Sequence, residues 1–261
     1  MDKVVVGDLV IGEGKPKICL PITGVTCEEI LQEAERIRKS KLADLVEWRA
    51  DFYAELFDSG GRIDEAAVLQ TLKGLRDVLG KIPLLFTFRT KAEGGNKEIH
   101  TLYYESLLEL AASSGYVELI DVEAIRDEAV AAKCMKRIHS HAIHVIASNH
   151  DFEKTPDKEE LKYRLQRMQS LGADICKLAV MPNSRDDVMT LLNATYEMQK
   201  SAKAPIVTMS MGADGSISRL TGEFFGSAIT FGCLQNASAP GQIDAFKLQA
   251  MLQIIHEGLK R

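Results

Sequence analysis

Residues 144–180 read HVIASNHDFEKTPDKEELKYRLQRMQSLGADICKLAV. An apolar run opens the segment at His144–Ser148, an amphipathic stretch follows at Asp157–Leu171, and a second apolar run closes it at Asp174–Leu178. The two runs are continuous rather than alternating, which suits strands covered on both faces, as in a parallel sheet. The segment therefore reads as strand, helix, strand.

The same unit repeats outward in both directions. Further strands are expected at Lys17–Leu20, Asp44–Trp48, Pro83–Phe88, Val117–Val122, Pro205–Ser210 and Ala228–Gly232. Between them, Thr26 and Glu29 have capping-box spacing, with Ile30, Ala34 and Ile37 following on one face. Other helices are expected at Asp64–Leu79, Leu102–Ser113, Asp127–Ser140, Ser184–Gln199 and Ala245–Leu259. The seventh connection, Thr221–Ser227, has room for a short helix only. Eight β-α units in a chain of 261 residues predict an α/β protein with a (βα)8 TIM barrel, one catalytic domain over 1–261. An open doubly wound sheet is the competing architecture, but it usually carries a Gly-rich nucleotide loop after the first strand. Here that strand leads into Pro21-Ile-Thr-Gly24, which is no such fingerprint. The preceding VVVGDLVIG is expected to form a β-hairpin, turning at Gly7-Asp8, that closes the bottom of the barrel.

Composition narrows the function classes. The chain holds 32 basic and 37 acidic residues, a net charge of −5, and 46% apolar residues. No basic stripe or run of like charges is present, so no nucleic-acid partner is expected. No stretch approaches the ~18 apolar residues that would span a membrane, and the acidic N-terminus lacks the pattern of a signal peptide. A cytoplasmic protein is expected. The five cysteines are widely spaced with no C-x-x-C, which predicts reduced thiols and no zinc.

In a TIM barrel the chemistry sits at the C-terminal ends of the strands. Those ends carry Glu47 and Arg49, which share a face by the period of two. They also carry Arg89 with Glu93 shortly after, then Asp121, Glu123, Ser148 and His150, and Lys177 inside an apolar strand. A lysine there either points into the barrel or buries its stem and snorkels its head to solvent. In the first case burial favours the neutral amine, a nucleophile toward ketones that can form a Schiff base. His150 suits proton transfer near neutral pH, although a loop or structural histidine would look the same. Arg49, Arg89 and Arg219 could be ordinary surface partners, or could converge on a substrate carboxylate through forked contacts. Glu47 and Glu93 could simply neutralise them. His139, His141 and His144 cluster at a helix-to-strand junction, opposite the chemistry, and lack zinc-ligand spacing. Met209 and Met211 suit barrel packing.

Taken in order, these motifs resemble the type I 3-dehydroquinate dehydratase family. The matching pieces are EWRAD at 47–51, FTFRTKAEGG at 86–95, IDVE at 120–123, SNHDFEKTP at 148–156 and ADICKLAVMP at 173–182. TMSMG at 208–212, ISRLTGEFFGSAITFG at 217–232 and SAPGQ at 238–242 complete the set. The resemblance implies a lyase of the shikimate pathway that dehydrates 3-dehydroquinate by syn elimination. Lys177 would form the Schiff base, His150 would act as general acid and base, and Glu93 would orient it. Arg219 would bind the substrate carboxylate, with Ser238 and Gln242 closing from a mobile loop at Asn236–Gln242. Glu47, Arg49 and Arg89 would hold the ring hydroxyls. The resemblance also implies a homodimer and no metal or organic cofactor, because the lysine is itself the electron sink. Two other readings stand beside it. One is a class I aldolase-like barrel, which usually has a Gly-rich phosphate site after strands seven and eight. The other is a barrel that only binds a quinate-like ligand.

Overall fold

The computed structural model describes residues 2–235 and 238–260. A short antiparallel hairpin comes first, β1 (Val4–Val6) and β2 (Leu9–Ile11). Eight parallel strands follow: β3 (Lys17–Ile22), β4 (Leu45–Arg49), β5 (Leu84–Thr87), β6 (Leu119–Glu123), β7 (His144–Asp151), β8 (Ile175–Val180), β9 (Ile206–Ser210) and β10 (Ile229–Cys233). A two-residue strand, β11 (Ile243–Asp244), adds to β10 in parallel. The expected strands are all present, with ends shifted by no more than three residues. The largest shift is in β7, which runs on to Asp151, so His150 stands in a strand rather than in the loop after it.

Helices separate the strands: α1 (Cys27–Ser40), α2 (Glu65–Leu79), α3 (Thr101–Ser113), α4 (Glu128–Ser140), α5 (Lys158–Ser170) and α6 (Arg185–Ser201). The capping box at Thr26 and Glu29 forms, and Ile30, Ala34 and Ile37 are the buried stripe of α1. The seventh connection differs from expectation. It holds two short helices, α7 (Ser216–Leu220) and α8 (Gly222–Phe225), so the helical path begins earlier than Thr221. The break falls at Thr221, whose backbone is not helical. The last helix, α9 (Ala245–Leu259), follows β11.

Consecutive strands pair from β3 through to β9, and β10 returns to β3 with Ile229 opposite Lys17. β9 and β10 meet more sparingly. Among the described residues they share one bridge, Ile206 with Ser227, beside the Ala228 amide bonded to the Ile206 carbonyl. The Ser227 hydroxyl extends this seam by accepting from the Thr208 amide at 3.0 Å.

Side chains of the strands sort to two cores by the period of two. Val46, Trp48, Phe86, Ile120, Val122, Val145, Ala147, Cys176 and Leu178 face the helices in one buried cluster. Leu45, Leu85, Leu119, Ile146, Ile175 and Val207 face the barrel interior, and Val4, Val6 and Ile11 of the hairpin join them. These inward residues lie near the strand beginnings, so the hairpin closes the N-terminal mouth as expected. The apolar floor forces whatever is polar inside the barrel toward the opposite end.

Candidate active site

Two residues beyond that apolar layer, on the same inward face, stand Glu47, Thr87, Asp121, Ser148, Lys177 and Met209. Two further on come Arg49, Arg89, Glu123, His150, Ala179 and Met211. All but His150 are buried. The geometry thus turns an alternation in sequence into a stack with an ionic centre.

Lys177 is 4% exposed. Its Nζ lies 3.7 Å from Glu47 Oε1 and 3.6 Å from Asp121 Oδ2, and 4.4 Å from the centre of the Phe231 ring. These ion-pair distances are too long for tight hydrogen bonds. Glu47 instead accepts from Thr87 Oγ1 at 3.0 Å. The amine is therefore held between carboxylates but remains open on its cavity side.

Arg89 organises the wall beside it. It reaches Asp121 at 2.8 Å, Glu123 at 3.0 Å and Glu93 at 3.6 Å, and donates to Ser148 Oγ at 2.9 Å. Ser148 in turn donates to Asp121 at 2.6 Å. Burial works against the guanidinium charge, but these carboxylates raise its pKa further above the ordinary value. Burial also opposes ionisation of Asp121, yet Arg89, Lys177 and the Ser148 hydroxyl hold its carboxyl below the usual range.

Glu93 comes from the tight loop after β5. Gly94 has φ +81°, and a Cβ on Gly95 would stand 1.9 Å from the Arg89 carbonyl oxygen. Only glycine fits such a turn, and the turn swings Glu93 over β7. Its Oε2 accepts from the His150 backbone amide at 2.9 Å and lies 2.9 Å from the ring Nδ1. Asn149 Nδ2 donates to Oε1 at 3.2 Å. Burial, then the nearby Glu123 charge, push the Glu93 carboxyl up to about 8. Burial, then Arg89, Lys177 and Arg49, press the His150 imidazole well below its usual value. The two groups share one hydrogen bond and take up their first proton as a unit.

The arginines do not behave alike. Arg49 is spent on Asp51 in a two-point pair at 2.8 and 2.9 Å. Arg219, 1% exposed, pairs with no carboxylate among the described residues. It donates to the carbonyls of Phe231 at 3.4 Å and Pro240 at 3.1 Å, and its buried Nε has no partner. Burial lowers its pKa to about 10. A buried cation with no counter-ion is costly unless something anionic completes it.

The loop after β10 covers the cavity. The Ser238 amide donates to Gln242 Oε1 at 2.8 Å, and Gln242 Nε2 donates to Ser238 Oγ at 2.9 Å. Gly241 has φ +78°, and a Cβ there would stand 2.2 Å from the Gly212 carbonyl oxygen, so two loops cross backbone to backbone. Asn236 and Ala237, the first residues of the expected lid, lie outside the described residues. The cavity beneath it is about 40 Å³ and is lined by Glu47, Arg49, Arg89, Glu93, His150, Lys177, Arg219, Ser238 and Gln242. All nine residues singled out from the sequence thus meet at one cavity. A wider cleft of about 650 Å³ lies outside the barrel, and shares only Glu123 with the ionic centre.

Sequence reasoning gave no role to Asp51, Asp121, Ser148, Asn149 or Phe231. The period of two would have placed Asp121 and Ser148 inside with Lys177. Nothing local marks Asn149, whose partners come from a distant loop. Among the histidines near the floor, His139 and His144 pair with Asp174, and His141 with Glu109.

Comparison with known proteins bears on this arrangement directly. The family model for type I 3-dehydroquinase matches residues 18–258. The chain belongs to the type I 3-dehydroquinase family. It is accordingly a lyase of the hydro-lyase class. Relatives in this family include the 3-dehydroquinate dehydratase of Listeria welshimeri, 47% identical over 98% of this chain and 99% of the relative. That of Bacillus licheniformis is 47% identical over 99% and 100%. The crystal structure of the type I 3-dehydroquinate dehydratase from Clostridium difficile, with covalently modified comenic acid, superposes with a TM-score of 0.93. It is 46% identical, covering 98% of this chain and 99% of its own. The barrel seen here is therefore the barrel of solved type I 3-dehydroquinases.

Proposed function

We propose that this enzyme converts 3-dehydroquinate to 3-dehydroshikimate by syn elimination of water through a Schiff base on Lys177. The observation that carries the reading is the juxtaposition in one cavity of a buried amine, a Glu93–His150 dyad and a guanidinium lacking a counter-ion.

The substrate carboxylate would complete Arg219, replacing weak carbonyl contacts with charge-assisted ones. This anchors the ring with its C3 ketone at Lys177. Attack by Nζ on C3, then loss of water, gives a protonated imine. The imine withdraws electrons from C2, and His150 Nε2 removes the C2 proton, leaving an enamine. The enamine electrons then expel the C1 hydroxyl, which takes that proton back from His150 and leaves as water. Hydrolysis of the imine frees 3-dehydroshikimate and restores the amine. Glu93 orients the ring and stabilises its charged form. Glu47, Arg49 and Arg89 hold the ring hydroxyls, and Ser238 and Gln242 close over the substrate. A cavity of about 40 Å³ is far below the ~300 Å³ at which small-molecule sites begin, so the 238–242 loop must open for entry and close to exclude water. We further propose that the active form is a homodimer, working in the cytoplasm without metal or organic cofactor.

Borohydride trapping tests the central step. The protein is incubated with 3-dehydroquinate, reduced, digested and mapped by mass spectrometry. An adduct on the peptide holding Lys177 is expected. Turnover without any adduct would sink the Schiff-base reading.

A further inference from the structure

Confining proton exchange to one nitrogen of an imidazole requires the other nitrogen to be held. Glu93 holds Nδ1 of His150, but a carboxylate has two oxygens and can itself carry a proton on either. What lies behind Glu93 therefore matters. Its Oε1 receives the Nδ2 of Asn149 at 3.2 Å. Asn149 is 6% exposed and sits one residue out of phase with Ser148 and His150, so its side chain leaves the barrel interior. Its Oδ1 accepts from Arg164 Nη1 at 3.0 Å. Arg164 belongs to α5, outside the barrel wall. It is fixed there by Glu160 at 2.7 Å and by Asp151 at 3.6 Å.

The chemistry of these groups sets a direction along the chain. A guanidinium only donates, so the amide must turn its oxygen to Arg164 and its NH2 to Glu93. The reverse orientation would set NH2 against guanidinium and oxygen against carboxylate. With Oε1 receiving an N–H, Oε2 is left to face β7. There it meets the His150 backbone amide and Nδ1, each at 2.9 Å. Nε2 makes no hydrogen bond among the described residues, and His150 lines the cavity. We infer that Asn149 and Arg164 are positioning residues that act through Glu93 to keep Nδ1 of His150 bonded, leaving Nε2 as the nitrogen that exchanges protons with substrate. The inference rests on the reading of His150 as the general acid and base.

The test is made on the full-length enzyme labelled with ¹⁵N in its histidine rings, titrated without substrate. In the unaltered protein the His150 signals should show Nδ1 protonated throughout and Nε2 titrating. Titration at Nδ1 would overturn the inference without any variant. Arg164→Met frees the Asn149 amide. A mixture of ring tautomers should appear, and the midpoint of the kcat–pH profile should rise by about one unit, because Glu93 loses a donor to its ionised form. At pH 7 kcat should fall about tenfold with KM within about twofold, part of the ~10²–10⁴ that a general acid–base contributes. Arg164→Lys, which restores a donor, should recover most of the loss. An Arg164 that merely ties α5 to β7 would change melting but neither the tautomer nor the profile, and that result would also overturn the inference. Asn149→Ser serves the same comparison should Arg164→Met not fold. If the ring signals move while turnover does not, the positioning role stands and the assignment of His150 as acid and base fails.

Discussion

Arg219 donates to the carbonyl of Pro240 at 3.1 Å, so a buried guanidinium at the cavity holds a covering loop by a neutral oxygen rather than by a carboxylate. This arrangement favours function over stability. Arg219→Met should raise KM about 100-fold or more, the loss of charge-assisted hydrogen bonds worth ~1.5–3 kcal/mol each. The same variant should melt a few degrees higher, because a buried charge without a counter-ion has been removed. Steady-state kinetics and a thermal melt on one sample check both halves. Unchanged KM would remove Arg219 from substrate binding.

The Glu93–His150 pair predicts a particular pH response. With Glu93 pushed up to about 8, the dyad releases a proton near that pH, and kcat/KM should rise through the range. In Glu93→Gln the imidazole titrates alone among burial, Arg89, Lys177 and Arg49, all of which depress it. The midpoint should therefore move below 6.5 while kcat falls about 10–100-fold, part of the ~10²–10⁴ of acid–base catalysis. A midpoint that stays put would detach Glu93 from the titration.

Asp121 and Arg89 are both buried, at 2.8 Å, with Ser148 bridging them. Asp121→Asn leaves a buried guanidinium short of a charge and should destabilise the protein by about 3–5 kcal/mol. Denaturant unfolding measures this. Lys177 also loses a flanking carboxylate, so the borohydride adduct should form at an altered rate.

At the other end of the barrel, Asp174 is lowered to about 2: burial opposes this, and bonds from His144, the Val145 amide and His139 outweigh it. A depressed carboxylate adds stability above its unfolded value near 3.8 and loses it as pH falls toward 2. His144 is shifted the other way, raised chiefly by its bond to Asp174. Its contribution is full below 6.5 and fades as pH climbs through the folded value. Asp174→Asn should therefore cost at most about 2 kcal/mol, most between pH 4 and 6.5, with the gap closing below pH 3. Melts at several pH values decide it.

Much of this was legible in the sequence because barrel strands obey a simple rule. Continuous apolar runs located eight strands, and the period of two put Glu47 with Arg49, while Lys177 was left between an inward lysine and one that snorkels to solvent. The same rule would have paired Asp121 with Lys177 had it been followed around the barrel. Less legible was which arginine is free. Arg49, Arg89 and Arg219 look alike in one dimension. Their difference lies in Asp51, Asp121 and Glu123, partners set by loop geometry and strand neighbours. Asn149 and Arg164 were invisible for a related reason: their effect passes through a carboxylate 56 residues from Asn149. In the seventh connection α8 lies inside the expected Thr221–Ser227, whereas α7, before the break at Thr221, escaped a reading based on helical periodicity.

The sparse seam between β9 and β10 has a bearing on how the molecule is made. Ladders from β3 to β9 join segments adjacent in the chain, so they could be laid down in the order of synthesis. The circle is complete only when Ile229 finds Lys17, more than two hundred positions earlier. Until then a nascent chain would carry two open sheet edges and an uncovered apolar floor, the features that invite mispairing. A chain released before Ala228 would thus carry every charged residue of the ionic centre, from Glu47 to Arg219, in a barrel that cannot close.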